Sequence, residues 1–398
     1  MKILYITRFF WPEAIAPSFT TIELTRRLAE RGHEVNLFVP DVLAKHVMAK
    51  QPAMPKGIVV AFSRPRLSRM PAHTLSFVFV WFRALRAACG VHVILGQHHY
   101  YHMGSFCAAV LSIITRRPLV IRVHDFGGGY RKPTNVLESV FAFGMKWLTL
   151  LSFKRAEQVL VPSDELVHLV RRVCGLKAGA VRLSLNGVDT KRFSPSRRSN
   201  DLRNVFRSKH IVVFTGNIDL GSDASGLDIL VRAAEYLRGD IHDLKVLILG
   251  DGPDLPHLIR LANSLHLDHC VNFLGWIDPE LIPTYLASAD VAVGLLRANI
   301  ETIGSIPVKV VEYMASGCVV VVARGGCSKN LIIDGTNGIV TEPDSVTDFA
   351  QSIIKIFSND KLTRRLRSKA RETAQELYDW EVIVSELEDA LRSAAETH

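Results

Sequence analysis

Two hydrophobic patterns alternate along the chain. Short continuous apolar runs recur, and between most of them lie stretches with apolar residues three and four apart. The first pattern is that of strands buried on both faces of a parallel sheet, the second that of the helices covering it. Residues 2–7 and 34–40 are the first two runs, with helical spacing over 21–31 (Ile22, Leu24, Leu28, Ala29) closed by Gly32. Strand, helix and strand make a βαβ unit. Further strands are predicted at 58–63, 91–97, 119–124, 159–162 and 181–185. Asn186-Gly187-Val188-Asp189 reads as a turn, and 193–200 is rich in Pro, Ser and Arg, as linkers are. The pattern then restarts. Strands are predicted at 211–215, 246–249, 271–274, 291–296, 318–323 and 338–341, with a helix over 227–237. A last helix from Trp380 carries Val382, Val384, Leu387 and Leu391 on its apolar side. The prediction is an α/β protein with two parallel-sheet domains, residues 1–195 and 196–378, followed by a helical segment, 379–398.

One stretch, 304–326, combines several local signals. Ser305 suits a helix cap and Pro307 a first turn. Val308, Val311 and Ala315 fall on one stripe, and Gly317 stops the helix. A β-branched strand follows, then Gly325-Gly326. Lys309 and Glu312 sit three apart, near enough to act on one ligand. A helix start offers unpaired N–H groups and partial positive charge, which suit a phosphate. A carboxylate further in can accept two hydrogen bonds from a sugar diol. Together they would hold a nucleotide diphosphate, with Glu312 on the ribose. The same pattern also fits a purely structural βα unit with a solvated Lys–Glu pair.

In the first domain, 97–102 (Gln-His-His-Tyr-Tyr-His) and 124–129 (His-Asp-Phe-Gly-Gly-Gly) end two strands, so both should reach one carboxyl edge. A His–Asp pair there can bind sugar hydroxyls or move a proton. A histidine satisfied by the backbone is the plainer reading, more so for His98, His99 and His102 than for His124. The spacing is not that of a helical pair of metal ligands.

The totals narrow the classes. A chain of 398 residues, 48% hydrophobic and 22% charged, is globular and long enough for two cores. Its six cysteines lack C-x-x-C spacing, so neither a zinc site nor a disulfide framework is indicated. Cys107 and Cys318 read as buried thiols of a reducing compartment. The net charge of +9 is uneven, at +18 over residues 1–200 and −9 over the remainder. A basic first half suits an anionic partner such as membrane lipid, and a basic loop holds Arg64, Arg66 and Arg69. Solubility alone would be a sufficient reason for the charge. Residues 134–153 are apolar but carry charges, and are expected as a helix in the core or at an interface. No secretory leader or membrane span is read, so the expected location is cytoplasmic, peripheral on the cytoplasmic face of a membrane. The basic residues are not interleaved with an aromatic platform, which disfavours nucleic acid.

With these residues in view the chain resembles the retaining glycosyltransferases of family 4, of GT-B architecture. The motifs that carry this are "ILYITRFFWPE" and "LAERGHEV", "LSLNGVDTKRFSP", "LILGDGP", "VNFLGWIDPELIPTYLASADVAVGLL" and "PVKVVEYMASGCVVVVARGG" with "LIIDGTNGIV", in the family's order along nearly the whole chain. The Ser-x-Pro-x-Lys-x-x-Glu-Tyr-Met-Ala form is similar to a subgroup that builds bacterial surface polysaccharides. The resemblance implies two Rossmann-like domains facing across a cleft, with the last helix crossing back to the first. It implies a nucleotide-sugar donor, UDP- or GDP-linked, on the second domain and a lipid-linked or glycan acceptor on the first. It puts Glu312 on the ribose, Gly250 and Gly252 below the base, and Trp276 and Ile277 beside it. His124 corresponds to a histidine near the donor sugar.

Departures from the family pattern matter. Gly304 stands where many members have a glutamate, and Lys329 where another is usual. Asn217 replaces an arginine that holds the pyrophosphate, and the loop after it has no lysine. The leaving charge must then be met by Lys309, Arg297, Arg324 or the amides of Gly304, Ser305 and Ile306, with Lys309 favoured. There is no Asp-x-Asp pair, so no metal ion or other cofactor is expected. The missing cations also leave open a GT-B protein that binds a nucleotide sugar or glycan without turnover. A sugar-nucleotide epimerase of the same architecture fits the motif order less well.

Overall fold

The computed structural model describes residues 1–7, 16–39, 57–62, 84–99, 104–124, 136–219, 226–295, 306–325, 327 and 329–397. The chain forms two compact units, Met1–Asn186 with Trp380–His398, and Gly187–Asp379.

The first unit is built on β1 (Lys2–Ile6), β2 (Glu34–Val39), β3 (Ile58–Phe62), β4 (Val93–His98), β5 (Leu119–Val123), β6 (Gln158–Val161) and β7 (Val181–Leu183). All pair in parallel, in the order β3-β2-β1-β4-β5-β6-β7. The order reverses between β1 and β4, and such a switch point opens a crevice at the carboxyl edge. The inner strands follow the apolar runs closely, because their Ile, Val and Leu are buried on both faces, while the edge strands β3 and β7 leave Val59 and Leu183 exposed. Local chemistry ends the helices where the sequence asks for it. Ser163 caps the helix Asp164–Cys174 by accepting from the Leu166 amide at 3.3 Å, and Gly175 closes it at φ 63°.

The last helix, Trp380–Glu396, belongs to this unit. It lays Trp380, Ile383, Val384, Leu387 and Leu391 against Ile3, Tyr5, Leu24 and Leu28. Val382 is only half-buried, so the true core position is Ile383, one residue on. Each such aliphatic side chain contributes about 1.5–3 kcal/mol on burial. Arg31 bridges Glu381 at 2.9 Å and Glu388 at 3.2 Å, fixing the helix to the end of helix Ala16–Glu30.

The second unit is built on β8 (His210–Thr215), β9 (Leu244–Leu249), β10 (Val271–Gly275), β11 (Val291–Gly294), β12 (Val319–Ala323) and β13 (Ile339–Thr341). These too are parallel, in the order β10-β9-β8-β11-β12-β13, with the switch between β8 and β11. Residues 187–195 pack within this unit. The Phe193 carbonyl accepts from Arg371 at 2.7 Å, and Pro195 lies against Gly317. Helices Val346–Ser358 and Asp360–Leu377 cover the sheet as well. No described helix is long and apolar enough to cross a membrane. Helix Val136–Arg155, expected in the core or at an interface, buries Met145, Ser152 and Phe153 but leaves Phe143, Trp147 and Leu151 exposed.

Candidate functional site

In the second unit the carboxyl edge is built from glycines that carry the chain past the strand ends. Gly216, Gly250 and Gly275 follow β8, follow β9 and end β10, at φ 145°, 144° and 66°. At Gly250, and at Gly252 just beyond it, only the missing side chain allows the packing. A Cβ on Gly250 would stand 1.8 Å from the Gly216 carbonyl oxygen, and one on Gly252 2.3 Å from that of Ile218. The Gly250 amide donates to the Gly275 carbonyl at 2.7 Å, and the Ile218 amide to the Asp251 carbonyl at 2.9 Å. The result is a backbone floor beside which Trp276 stands exposed and Ile277 half-buried. Asn217, directly after Gly216, is exposed.

Over the switch point sits helix Val308–Ala315. Pro307 is its cap residue, one position before the first turn in which the sequence reading put it. The buried face (Val310, Val311, Tyr313, Met314, Ala315) is wider than the expected stripe, and Val308 is only half-buried. Tyr313 ties the helix to the end of β8. Its hydroxyl oxygen accepts from the Thr215 amide at 2.9 Å and lies 3.1 Å from the Thr215 hydroxyl, all buried. Losing that phenol would leave a buried amide unpaired, at a cost of about 1–3 kcal/mol.

This register aims Lys309 at the same edge. Its Nζ lies 4.9 Å from the centre of the Phe214 ring and 2.9 Å from where a Cβ on Gly216 would stand. Glu312 is one turn on. Burial pushes its carboxyl up from 4.5 to about 7, against the opposing pull of Arg192 and then Lys309. Arg192 donates to the Pro279 carbonyl at 2.6 Å and bridges Glu280 at 3.5 Å. It therefore joins the end of the β10 loop to the neighbourhood of Glu312. Ile306 is buried beside the helix start, whereas Gly304, Ser305 and Arg297 lie outside the described residues. Arg324 is turned to Glu342 at 2.9 Å instead. Gly226, before helix Leu227–Asp240, meets the Leu295 carbonyl oxygen so closely that a Cβ would stand at 2.5 Å. Two helix starts thus share this edge.

In the first unit the two histidine-bearing strand ends do adjoin. The His124 amide donates to the His98 carbonyl at 3.0 Å, and the His99 and His124 rings stack at 6.4 Å. His98 is a core histidine, buried with Nδ1 2.9 Å from the Ser105 hydroxyl and its ring edge-on to Phe153. His124 stays half-buried at the edge, while Asp125 and His102 lie outside the described residues.

The comparisons with known proteins bear on this arrangement. The model of the glycosyl transferases group 1 family matches residues 196–373, and that of glycosyltransferase family 4 matches 18–192. The chain belongs to the family 4 glycosyltransferases. It is 27% identical over 296 residues to alpha-D-kanosaminyltransferase of Streptomyces kanamyceticus, covering 72% of this chain and 73% of that one. It is 25% identical over 409 residues to D-inositol 3-phosphate glycosyltransferase of Nocardiopsis dassonvillei, covering 94% and 88%. Among solved structures, Anabaena HepE in complex with UDP is similar at a TM-score of 0.75 and 21% identity, covering 99% of this chain and 100% of that one. The last likeness speaks to the two-domain GT-B fold, which this glycosyltransferase shares.

Arg192 is the functional candidate that the sequence reading missed. It lies in the "LSLNGVDTKRFSP" motif, between the turn at 186–189 and the linker at 193–200, and its nearness to Glu312 spans 120 positions. The one available signal was the Lys-Arg pair in "NGVDTKRF".

Proposed function

We propose that the protein transfers a sugar, with retention, from a UDP- or GDP-linked donor to a lipid-linked or glycan acceptor, without a metal ion. The observation that carries the reading is the pair on helix Val308–Ala315. Lys309 is held over Phe214 at the glycine end of β8, and Glu312 is half-buried one turn away. The glycine floor takes the base between Gly250, Gly252 and the Trp276-Ile277 backbone, and the Glu312 carboxylate accepts from the ribose diol. The bond from the anomeric carbon to the diphosphate oxygen breaks, its electron pair staying on that oxygen. The acceptor hydroxyl attacks from the face the diphosphate leaves, and its proton passes to a phosphate oxygen. No enzyme nucleophile is needed. The developing charge is met by the Lys309 ammonium and by the two helix starts, including the amide of Ile306, in place of the arginine that Asn217 replaces. His124, half-buried at the carboxyl edge of the first sheet, is that unit's candidate for binding a sugar hydroxyl. The "S-x-P-x-K" form favours surface-polysaccharide synthesis as the setting. A peripheral membrane position suits a lipid-linked acceptor. The basic loop of Arg64, Arg66 and Arg69 lies outside the described residues.

Incubation of the protein with sugar nucleotides in a chelator tests the reading, with nucleotide release as the readout and anomeric configuration of the product by NMR. Release with a retained anomer is expected. Release that needs a divalent ion, or an inverted product, overturns those two elements. Binding without release marks a protein that holds the donor but does not turn it over.

Glu312 makes the site pH-dependent. Its folded-state value, about 7, lies above the ordinary 4.5, so the unfolded chain loses this proton first. Stability therefore falls as pH rises from 4.5 to about 7, and the full cost persists above. Glu312→Gln should melt higher than the native protein at pH 8 and nearly equally at about pH 4, below the unfolded value. Donor affinity moves the other way, because the carboxylate accepts both diol hydrogens. Sugar-nucleotide binding should strengthen between pH 6 and 8, a trend that Glu312→Gln abolishes.

A further inference from the structure

The first unit carries an apolar surface that the transfer reaction does not use. On helix Val136–Arg155, Phe143, Trp147 and Leu151 are spaced four apart and are 64%, 50% and 55% exposed. The two rings meet edge to face at 6.1 Å. Helix Gly104–Thr115 packs alongside and exposes Ile113 and Ile114 near its end. The same helices have their buried sides filled by Met145, Phe153, Ala108 and Leu111, so the outward residues are surplus to the core. An exposed apolar stripe of this kind, with two of its rings in contact, marks a contact surface.

Charge decides what covers it. Lys146 and Lys154 are exposed on the outward side of the stripe helix, and Arg116 is exposed just past Ile113 and Ile114. A two-fold contact with a second copy would set these cations against their own images. An anionic lipid surface receives them, with the apolar ridge entering the acyl boundary and the Trp147 ring at headgroup depth. The helix lies on such a surface rather than crossing it. We propose that the outward face of helices Gly104–Thr115 and Val136–Arg155 docks the protein on an anionic bilayer, through Phe143, Trp147 and Leu151 with Lys146 and Lys154. It deepens the proposed lipid-linked acceptor, on which it rests for its purpose, but it is tested without turnover.

The whole protein is sedimented with phosphatidylglycerol–phosphatidylcholine vesicles and with pure phosphatidylcholine vesicles, beside two variants. The native protein should bind the anionic vesicles more tightly. The triple Ser variant at Phe143, Trp147 and Leu151 should lose at least about tenfold. Lys146→Ala with Lys154→Ala should lose about fivefold per lysine on anionic vesicles and nothing on neutral ones. Brominated lipid should quench a component of the fluorescence that Trp147→Phe removes. Melting temperature and nucleotide release should stay at native values in every variant, so failure here is distinct from failure of the transfer reading. Equal sedimentation of the triple variant, or no sedimentation of the native protein, would overturn the proposal. So would a native dimer that the triple variant converts to monomer, since the stripe would then be covered by a second copy.

Discussion

Lys309→Ala is expected to lower the rate of nucleotide release from the sugar donor by about 10²–10³-fold, with nucleotide affinity changed far less. The argument rests on placement. The ammonium lies 4.9 Å from the Phe214 ring centre, against the backbone of Gly216, where a side chain on residue 216 would collide with it at 2.9 Å. A cation so held is fixed before the reaction, and it meets charge that grows only as the diphosphate departs. Interactions that strengthen in the transition state appear in turnover rather than in ground-state binding. Lys309→Arg should restore little, because the longer, planar guanidinium does not reproduce a point charge at that spot. Steady-state rates with the donor alone, set beside calorimetric affinity, separate the two effects. A variant that turns over at the native rate would mean that another cation meets the leaving charge.

Gly250→Ala is expected to cost more than about 3 kcal/mol or to prevent folding of the second unit. The new methyl would stand 1.8 Å from the Gly216 carbonyl oxygen, on a residue at φ 144°. Both partners of that clash are backbone at the ends of paired strands, so neither yields by a rotamer change. Gly239→Ala is the matched control. It lies exposed in helix Leu227–Asp240 with nothing within 4 Å of its Cβ position. There alanine should be neutral or stabilising by about 0.5–1 kcal/mol. Thermal melts of the two variants read the difference directly.

The strands were legible in the sequence because a parallel strand buried on both faces needs a continuous apolar run and little else. The runs at 119–124 and 318–323 became β5 and β12 to within one residue at either end. Gly32 and Gly317 were also readable as helix ends, being bound to a local backbone conformation. What depends on distant contacts was not. Nothing near Tyr313 announces that its hydroxyl holds the Thr215 amide, 98 positions away. Arg192, between the turn at 186–189 and the linker at 193–200, drew no reading because its relation to Glu312 exists only once the unit is folded. The sequence already leaned toward a structural role for His98 over His124, and the pairing of β4 and β5 gives the reason, making one a core residue and leaving the other at the edge. The shift from Val382 to Ile383 in the last helix has the same origin, since several adjacent apolar residues leave its phase undetermined until it meets helix Ala16–Glu30.

The central claim is that the carboxyl edge of the second sheet holds a nucleotide diphosphate sugar, with Glu312 on the ribose. Calorimetric titration of the whole protein with UDP, GDP and their common sugar conjugates, in a chelator and beside Glu312→Ala, tests it most directly. The account predicts micromolar binding of one nucleotide series, weakened at least about tenfold by the loss of the carboxylate hydrogen bonds. Unchanged affinity in Glu312→Ala, or no binding of any nucleotide by the native protein, would contradict it.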